Sequence, residues 1–198
     1  MSRSATHHRL RSIALALFLE QGFDATTVNE IALAAGVSHM TFFRHFPTKE
    51  AVVLDDPYDE AIAAAVLAQN RGLPALERVR LGITSAWAAL PEPTELETRS
   101  RVRLIAEHEG LLARSWQNNR RTGELIAEAL ISDGVDAVEA RVAAAACLAA
   151  VMEALLLWGV SPPGRELGPL VGDALNYLAC SPAPPAKHVK PRTRGRIQ

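Results

Sequence analysis

Residues 26–49, TTVNEIALAAGVSHMTFFRHFPTK, constrain the fold more than any other part of the chain. Thr27 is followed three residues later by Glu30, the reciprocal cap that opens a helix and places an acid in its first turn. Ile31, Ala32 and Ala35 then fall at helical spacing, and Gly36 suits the left-handed conformation that ends a helix. Val37 packs beneath the turn and Ser38 caps a second helix. Phe42 and Phe46, four residues apart, mark the inward face of that second helix. Ala32, four residues before Gly36, is small enough for the two helices to cross. Together these pieces describe a helix-turn-helix that opens at Val28 and closes at Pro47.

A further helix precedes the motif. Leu10, Ile13, Ala14, Leu17 and Phe18 form one apolar face over residues 8–22, Gly22 stops the helix, and Phe23 seats the connecting loop. With this helix before it and TFFRHFPTKE after it, the stretch resembles the DNA-binding domain of TetR-type (TetR/AcrR) transcriptional regulators over residues 8–54. The resemblance rests on FLEQGFDATTV, IALAAGVS and an aromatic pair running into HFPTK, in that order. It implies a homodimeric repressor that binds a palindromic operator in double-stranded DNA and is released by a small-molecule effector, at least partly apolar. The family commonly has Tyr where this chain has Phe43, so one hydroxyl able to reach a phosphate is missing. The alternative is an architectural DNA-binding dimer without a ligand, whose C-terminal part only dimerises.

In a helix-turn-helix the second helix lies in the major groove with its N-terminal residues at the base edges. Here those residues are Ser38, His39, Met40, Thr41, Phe43, Arg44 and His45. The guanidinium fork of Arg44 can reach guanine or a phosphate, Thr41 and Met40 can touch a thymine methyl, and His39 can donate to an acceptor. Lys49 is expected over a phosphate, and Thr27 against another. His39 and His45 are six apart and fall on different faces of a helix, so no shared metal is expected.

The charges support this division of labour. Residues 1–50 hold five Lys/Arg against four Asp/Glu, residues 51–180 hold eleven against eighteen, and residues 181–198 hold five and no acid. An acidic middle is a poor partner for nucleic acid, whereas both ends tolerate it. The abundance of Ala and Leu, with no alternating Val, Ile and Thr runs, predicts an all-α chain. It divides into an N-terminal three-helix domain (1–47), a C-terminal helical bundle for effector binding and dimerisation (48–180) and a disordered, Pro-rich basic tail (181–198). Residues 1–7 read as a loose, partly basic arm. Beyond the motif, helices are expected from residue 48 to 54, 57 to 69, 73 to 90, 94 to 107, 111 to 132, 136 to 158 and 165 to 179. Whether 48–69 is one helix kinked at Asp55-Asp56-Pro57 or two pieces stays open.

Three expectations concern the C-terminal part. Ligand pockets need apolar walls and a few polar groups, and Trp87, Arg103, His108, Trp116 and Asn119 are the candidates, although each also suits ordinary core or surface. Ala143, Ala146 and Ala150 on one helix, with Leu167, Leu170, Ala174 and Leu178 on the next, fit the four-helix dimer interface that the resemblance implies; a core helix of a monomer fits the same pattern. Residues 142–160 are apolar enough to raise a membrane span, but Glu153 near the middle would be costly in lipid. A buried helix–helix contact and a cytoplasmic protein follow. No secretory signal is expected, because Arg9, Arg11 and Glu20 bracket the first apolar helix. Cys147 and Cys180 lack the spacing of a zinc site or a disulfide framework. Dinucleotide, P-loop, metalloprotease and serine-hydrolase motifs are missing, so neither catalysis nor a cofactor is expected.

Overall fold

The computed structural model describes residues 3–55, 59–89, 95–162 and 164–179. Within them lie ten helices and no strand. Three short ones follow the first: α1 (Arg3–Gln21), α2 (Val28–Ala34), α3 (His39–His45) and α4 (Ala51–Leu54). The remainder are α5 (Asp59–Leu67), α6 (Ala75–Ala89), α7 (Glu95–Glu107), α8 (Glu109–Ser132), α9 (Ala137–Val160) and α10 (Leu167–Asn176).

Residues 3–7, read from sequence as a loose arm, are the first turns of α1, which carries His7 onto the ring of Phe46 at 4.3 Å. Residues 48–69 contain two separate helices: α4 stops at Leu54, Asp55 is extended, and α5 starts at Asp59. Asp56, Pro57 and the tail 181–198 lie outside the described residues. The break between α7 and α8 narrows to His108 alone, whose Nδ1 accepts from the amide of Leu111 and so caps α8.

Local chemistry fixes the turn of the motif. Thr27 accepts from the amide of Glu30 at 3.2 Å while the Glu30 carboxylate accepts from the amide of Thr27 at 2.7 Å. At the other end of α2, Val37 N donates to Ala32 O and Gly36 N to Leu33 O, with Gly36 at φ +61°. That paired closure requires a left-handed residue, which glycine adopts without strain.

Two cores hold the chain together. The first gathers Leu10, Ala14, Phe18, Ile31, Phe42 and Phe46 from α1–α3. It does not close there. Val52 and Val53 of α4 are fully buried in it, and Leu104 of α7 and Leu111 of α8 are buried there as well. Each of the buried Phe side chains contributes about 1.5–3 kcal/mol by leaving water. The second core joins α5 to α10 around Val79, Val102, Ile126, Leu130, Cys147 and Trp158. Burial pushes the Cys147 thiol up to about 12, which keeps it protonated and unreactive at neutral pH. Trp158 donates to Arg165 O at 2.7 Å, and the Arg99 guanidinium covers its ring at 4.2 Å. Arg99 also donates to Trp158 O and Ser161 O, so a cation closes the C-terminal end of α9.

α9 is long and apolar enough to cross a membrane by length and composition. In the fold it packs against α6, α7, α8 and α10. Gly159 marks its closest approach: a Cβ there would stand 2.6 Å from Val102 Cγ1 of α7.

Candidate nucleic-acid interface and effector cavity

Ser38 starts α3, its hydroxyl accepting from the amide of Thr41 at 3.1 Å and lying 3.0 Å from the Thr41 hydroxyl. From this cap, four side chains project outward together: His39, Met40, Phe43 and Arg44 are all exposed, Met40 at 75%. At about 100° per residue they span an arc of about 140° on the helix. His39 lies edge-on to Phe43, ring centroids 4.7 Å apart, which steadies both rings. Arg44 makes no hydrogen bond or ion pair with any described residue. The face therefore presents one cationic fork, one imidazole and two apolar groups, a set able to meet guanine, phosphate and thymine methyls.

Other residues read as contacts point elsewhere. Thr41 and His45 turn back toward the domain; both are half-buried, and the His45 ring lies 5.9 Å from that of His7 in α1. Burial, with Arg11 adding to it, lowers the pKa of His7, so this stack favours neutral imidazole. The Thr27 hydroxyl is engaged with Glu30.

Lys49 departs furthest from expectation. Its ammonium donates to Phe23 O at 2.8 Å and Thr26 O at 3.1 Å and sits 4.3 Å from the Phe23 ring centroid. The turn between α1 and α2 leaves those carbonyls without helical partners, and the lysine satisfies them instead of standing over a phosphate. Thr26, fully buried, adds a hydroxyl bond to Gly22 O at 2.8 Å. The run of polar residues around it gave no sign of this role.

Glu30 gives a first test. The amide and hydroxyl of Thr27 hold its carboxyl below the ordinary value of 4.5. The folded group binds its proton less tightly than the unfolded one, so the cap is complete above that value and is lost as pH falls through the lowered one. The Thr27 amide resonance should titrate in this window and stop doing so in Glu30→Gln, which keeps an acceptor but no acid.

Behind the recognition domain, α5–α10 and the end of α4 line a cavity of about 1470 Å³ that is partly open to solvent. Its apolar wall includes Ile83, Trp87, Val102, Met152 and Leu155. Polar groups enter on two stripes: Thr98 and Arg101 of α7, and Ser115, Asn118, Asn119 and Thr122 of α8. Ser115 and Thr122 return their hydroxyl hydrogens to Leu112 O and Asn118 O. Of the five candidates from sequence, the cavity brings together Trp87 and Asn119. Arg103 faces solvent and pairs with Glu107, and Trp116 lies outside the lining. His108 joins the two halves of the chain: its Nε2 meets Asp24 at 3.2 Å, and its ring packs edge-on to Phe23. Thr98, Arg101, Ser115, Asn118 and Thr122 are polar lining residues that the sequence candidates leave out; spacings of three or four join Thr98 to Arg101, Ser115 to Asn118 and Asn118 to Thr122 on shared helix faces.

The apolar residues of α9 and α10 also divide. Ala143 and Leu167 point inward and are buried in the chain's own core, whereas Ala146, Ala150, Leu170, Ala174 and Leu178 are half-buried. The outer side of α9 exposes Val138, Val142, Leu157 and Val160.

Comparison with known proteins matches both halves. A family model described as bacterial regulatory proteins, tetR family, covers residues 10–55, and one described as the MftR C-terminal domain covers residues 73–181. The chain is 36% identical over 143 residues to the HTH-type transcriptional regulator TcmR of Streptomyces glaucescens, covering 66% of this chain and 62% of that one. It is 32% identical over 133 residues to the "Putative mycofactocin biosynthesis transcriptional regulator MftR" of Mycobacterium tuberculosis, covering 64% of each. The matches thus span less than two thirds of the length of these two relatives. In fold, a TetR-like transcriptional regulator from Rhodococcus sp. RHA1 superposes with a TM-score of 0.51 at 18% identity, over 90% of this chain and 95% of that one.

Proposed function

The chain belongs to the TetR family of bacterial regulatory proteins, and from that premise we propose that it is a homodimeric, cytoplasmic repressor that binds a palindromic operator and is released by a small, partly apolar effector. The observation that carries the DNA-binding reading is the face of α3, where His39, Met40, Phe43 and Arg44 stand exposed together on a Ser38-capped helix. Reading two half-sites requires two such faces about 34–36 Å apart, or a multiple of that. The outer side of α9, where Val138, Val142, Leu157 and Val160 stand exposed around the carboxylate of Glu153, supplies a surface suited to pairing two copies. The cavity favours ligand-controlled release over a purely architectural dimer, because a bundle that only dimerises has no use for so large a partly apolar space.

Arg44→Ala and Lys49→Ala separate recognition from scaffolding. Arg44→Ala should weaken binding to a DNA site selected from a random pool by about 1–3 kcal/mol and leave the melting temperature unchanged. Lys49→Ala should lower the melting temperature, since two buried carbonyls lose their donor. Binding titrations at several salt concentrations, beside thermal melts, read both. Undiminished DNA affinity in Arg44→Ala would remove the α3 face from the interface.

A further inference from the structure

The end of α4 is closed by residues that also line the cavity. A helix leaves its last carbonyls without partners, and α4, four residues long, ends in the extended Asp55. Arg101 Nε donates to Val53 O at 2.9 Å and Arg101 Nη2 to Asp55 O at 2.9 Å, while Asn118 Nδ2 reaches Leu54 O at 3.4 Å. Three consecutive carbonyls of the segment leaving the DNA-binding domain are therefore held by α7 and α8 side chains that line the cavity wall. On its other side the segment is tied to the recognition domain, through Val52 and Val53 in the first core and through Asp55, 3.7 Å from Arg11. Glu50, 3.5 Å from Arg114 of α8, is a more exposed tie to the bundle.

We propose that Arg101 is a latch between effector and DNA, and that the effector is an amphiphile with an acidic group which takes the Arg101 guanidinium from the α4 carbonyls. The proposal rests on the reading of the cavity as the effector site. A carboxylate, sulfonate or phosphate binds guanidinium more strongly than a neutral carbonyl does, and through two parallel hydrogen bonds. The ligand thus gains an interaction only in the unlatched state, the differential affinity that release requires. The acidic side chains on the lining, Glu124, Glu128, Glu166 and Asp55, are all exposed, whereas Arg101 is half-buried. Among the charged residues on the lining, Arg101 is thus the one that is half-buried.

Two fluorescent probes that differ by one sulfonate test this on the full chain: 8-anilinonaphthalene-1-sulfonate and N-phenyl-1-naphthylamine. Both are titrated by fluorescence, and hydrogen exchange of residues 50–55 is followed at equal occupancy. In the unaltered chain the sulfonate should speed exchange of that segment by roughly tenfold, and the neutral probe should leave it unchanged. Arg101→Gln should weaken the sulfonate roughly tenfold, leave the neutral probe within about twofold, and give fast exchange at 50–55 without any probe. Equal unlatching by both probes, or sulfonate binding with no change in exchange, overturns the latch and leaves the cavity as an effector site. Failure of both probes to bind the unaltered chain overturns the effector reading, and the latch with it. The comparison in the unaltered chain does not depend on whether Arg101→Gln folds.

Discussion

Asp133→Ala should destabilise the chain by about 3–5 kcal/mol, the cost of stranding a buried cation. Arg78 is 1% exposed and its Nη2 lies 2.7 Å from Asp133 Oδ2, itself on a side chain only 8% exposed. The pair ties α6 to the C-terminal turn of α8, where Asp133 is the last residue before Gly134 at φ +92°. Arg71 approaches the other carboxylate oxygen at 2.5 Å but is 79% exposed, and water replaces its contribution at little cost. Urea unfolding of three variants isolates the effect. Arg71→Ala should shift stability by less than about 1 kcal/mol. The double change Arg78→Met with Asp133→Asn should recover most of the loss, because no charge is then left buried without its partner. A mild Asp133→Ala phenotype would mean that Arg78 gains access to water when its partner is removed.

The second large effect concerns assembly. Val142 is 61% exposed on the outer side of α9, one residue from Ala143 at 3% on the inner side. On the proposed pairing of two copies through this side of α9, Val142→Glu should leave the fold of each chain intact and convert a dimer to monomers, since the carboxylate would be buried unpaired between them. Affinity for the operator should fall by about two orders of magnitude or more, as a single recognition helix keeps only one half-site. Ala143→Glu places the same charge inside the chain's own core and should unfold it. Light scattering and circular dichroism distinguish the two: loss of dimer with retained helix for the first, loss of helix for the second. A dimer that persists in Val142→Glu moves the interface away from this side of α9.

These two neighbours also mark where the sequence ceases to be legible. The helix-turn-helix was readable because its signals are local: a cap three residues from its acid, a glycine at a left-handed turn, two phenylalanines one turn apart. α9 carries no such contrast. With Val, Ala and Leu on every side, periodicity cannot separate the inner face from the outer, and only the fold shows that Ala143 and Leu167 are buried in the chain's own core. In the cavity the error was angular. Arg103 and Trp116 were chosen for their chemistry, yet each lies 100–200° around its helix, at about 100° per residue, from Arg101 and Ser115, which do line the wall. Lys49 differs for a third reason: its acceptors are backbone carbonyls more than twenty residues away, and sequence does not reveal which carbonyls a fold leaves unpaired.

The burial of Leu104 and Leu111 among the phenylalanines of the recognition domain bears on how portable that domain is. Cut free, residues 3–55 would expose to water the surface that α7 and α8 now cover. A chimera that transplants this DNA reader onto another regulator's body inherits a socket and must find, on the new host, two apolar side chains at matching height to fill it. The walls that face α9 are free of that demand, whereas the rim of α7 and α8 that meets α1 carries it, through Leu104 and Leu111.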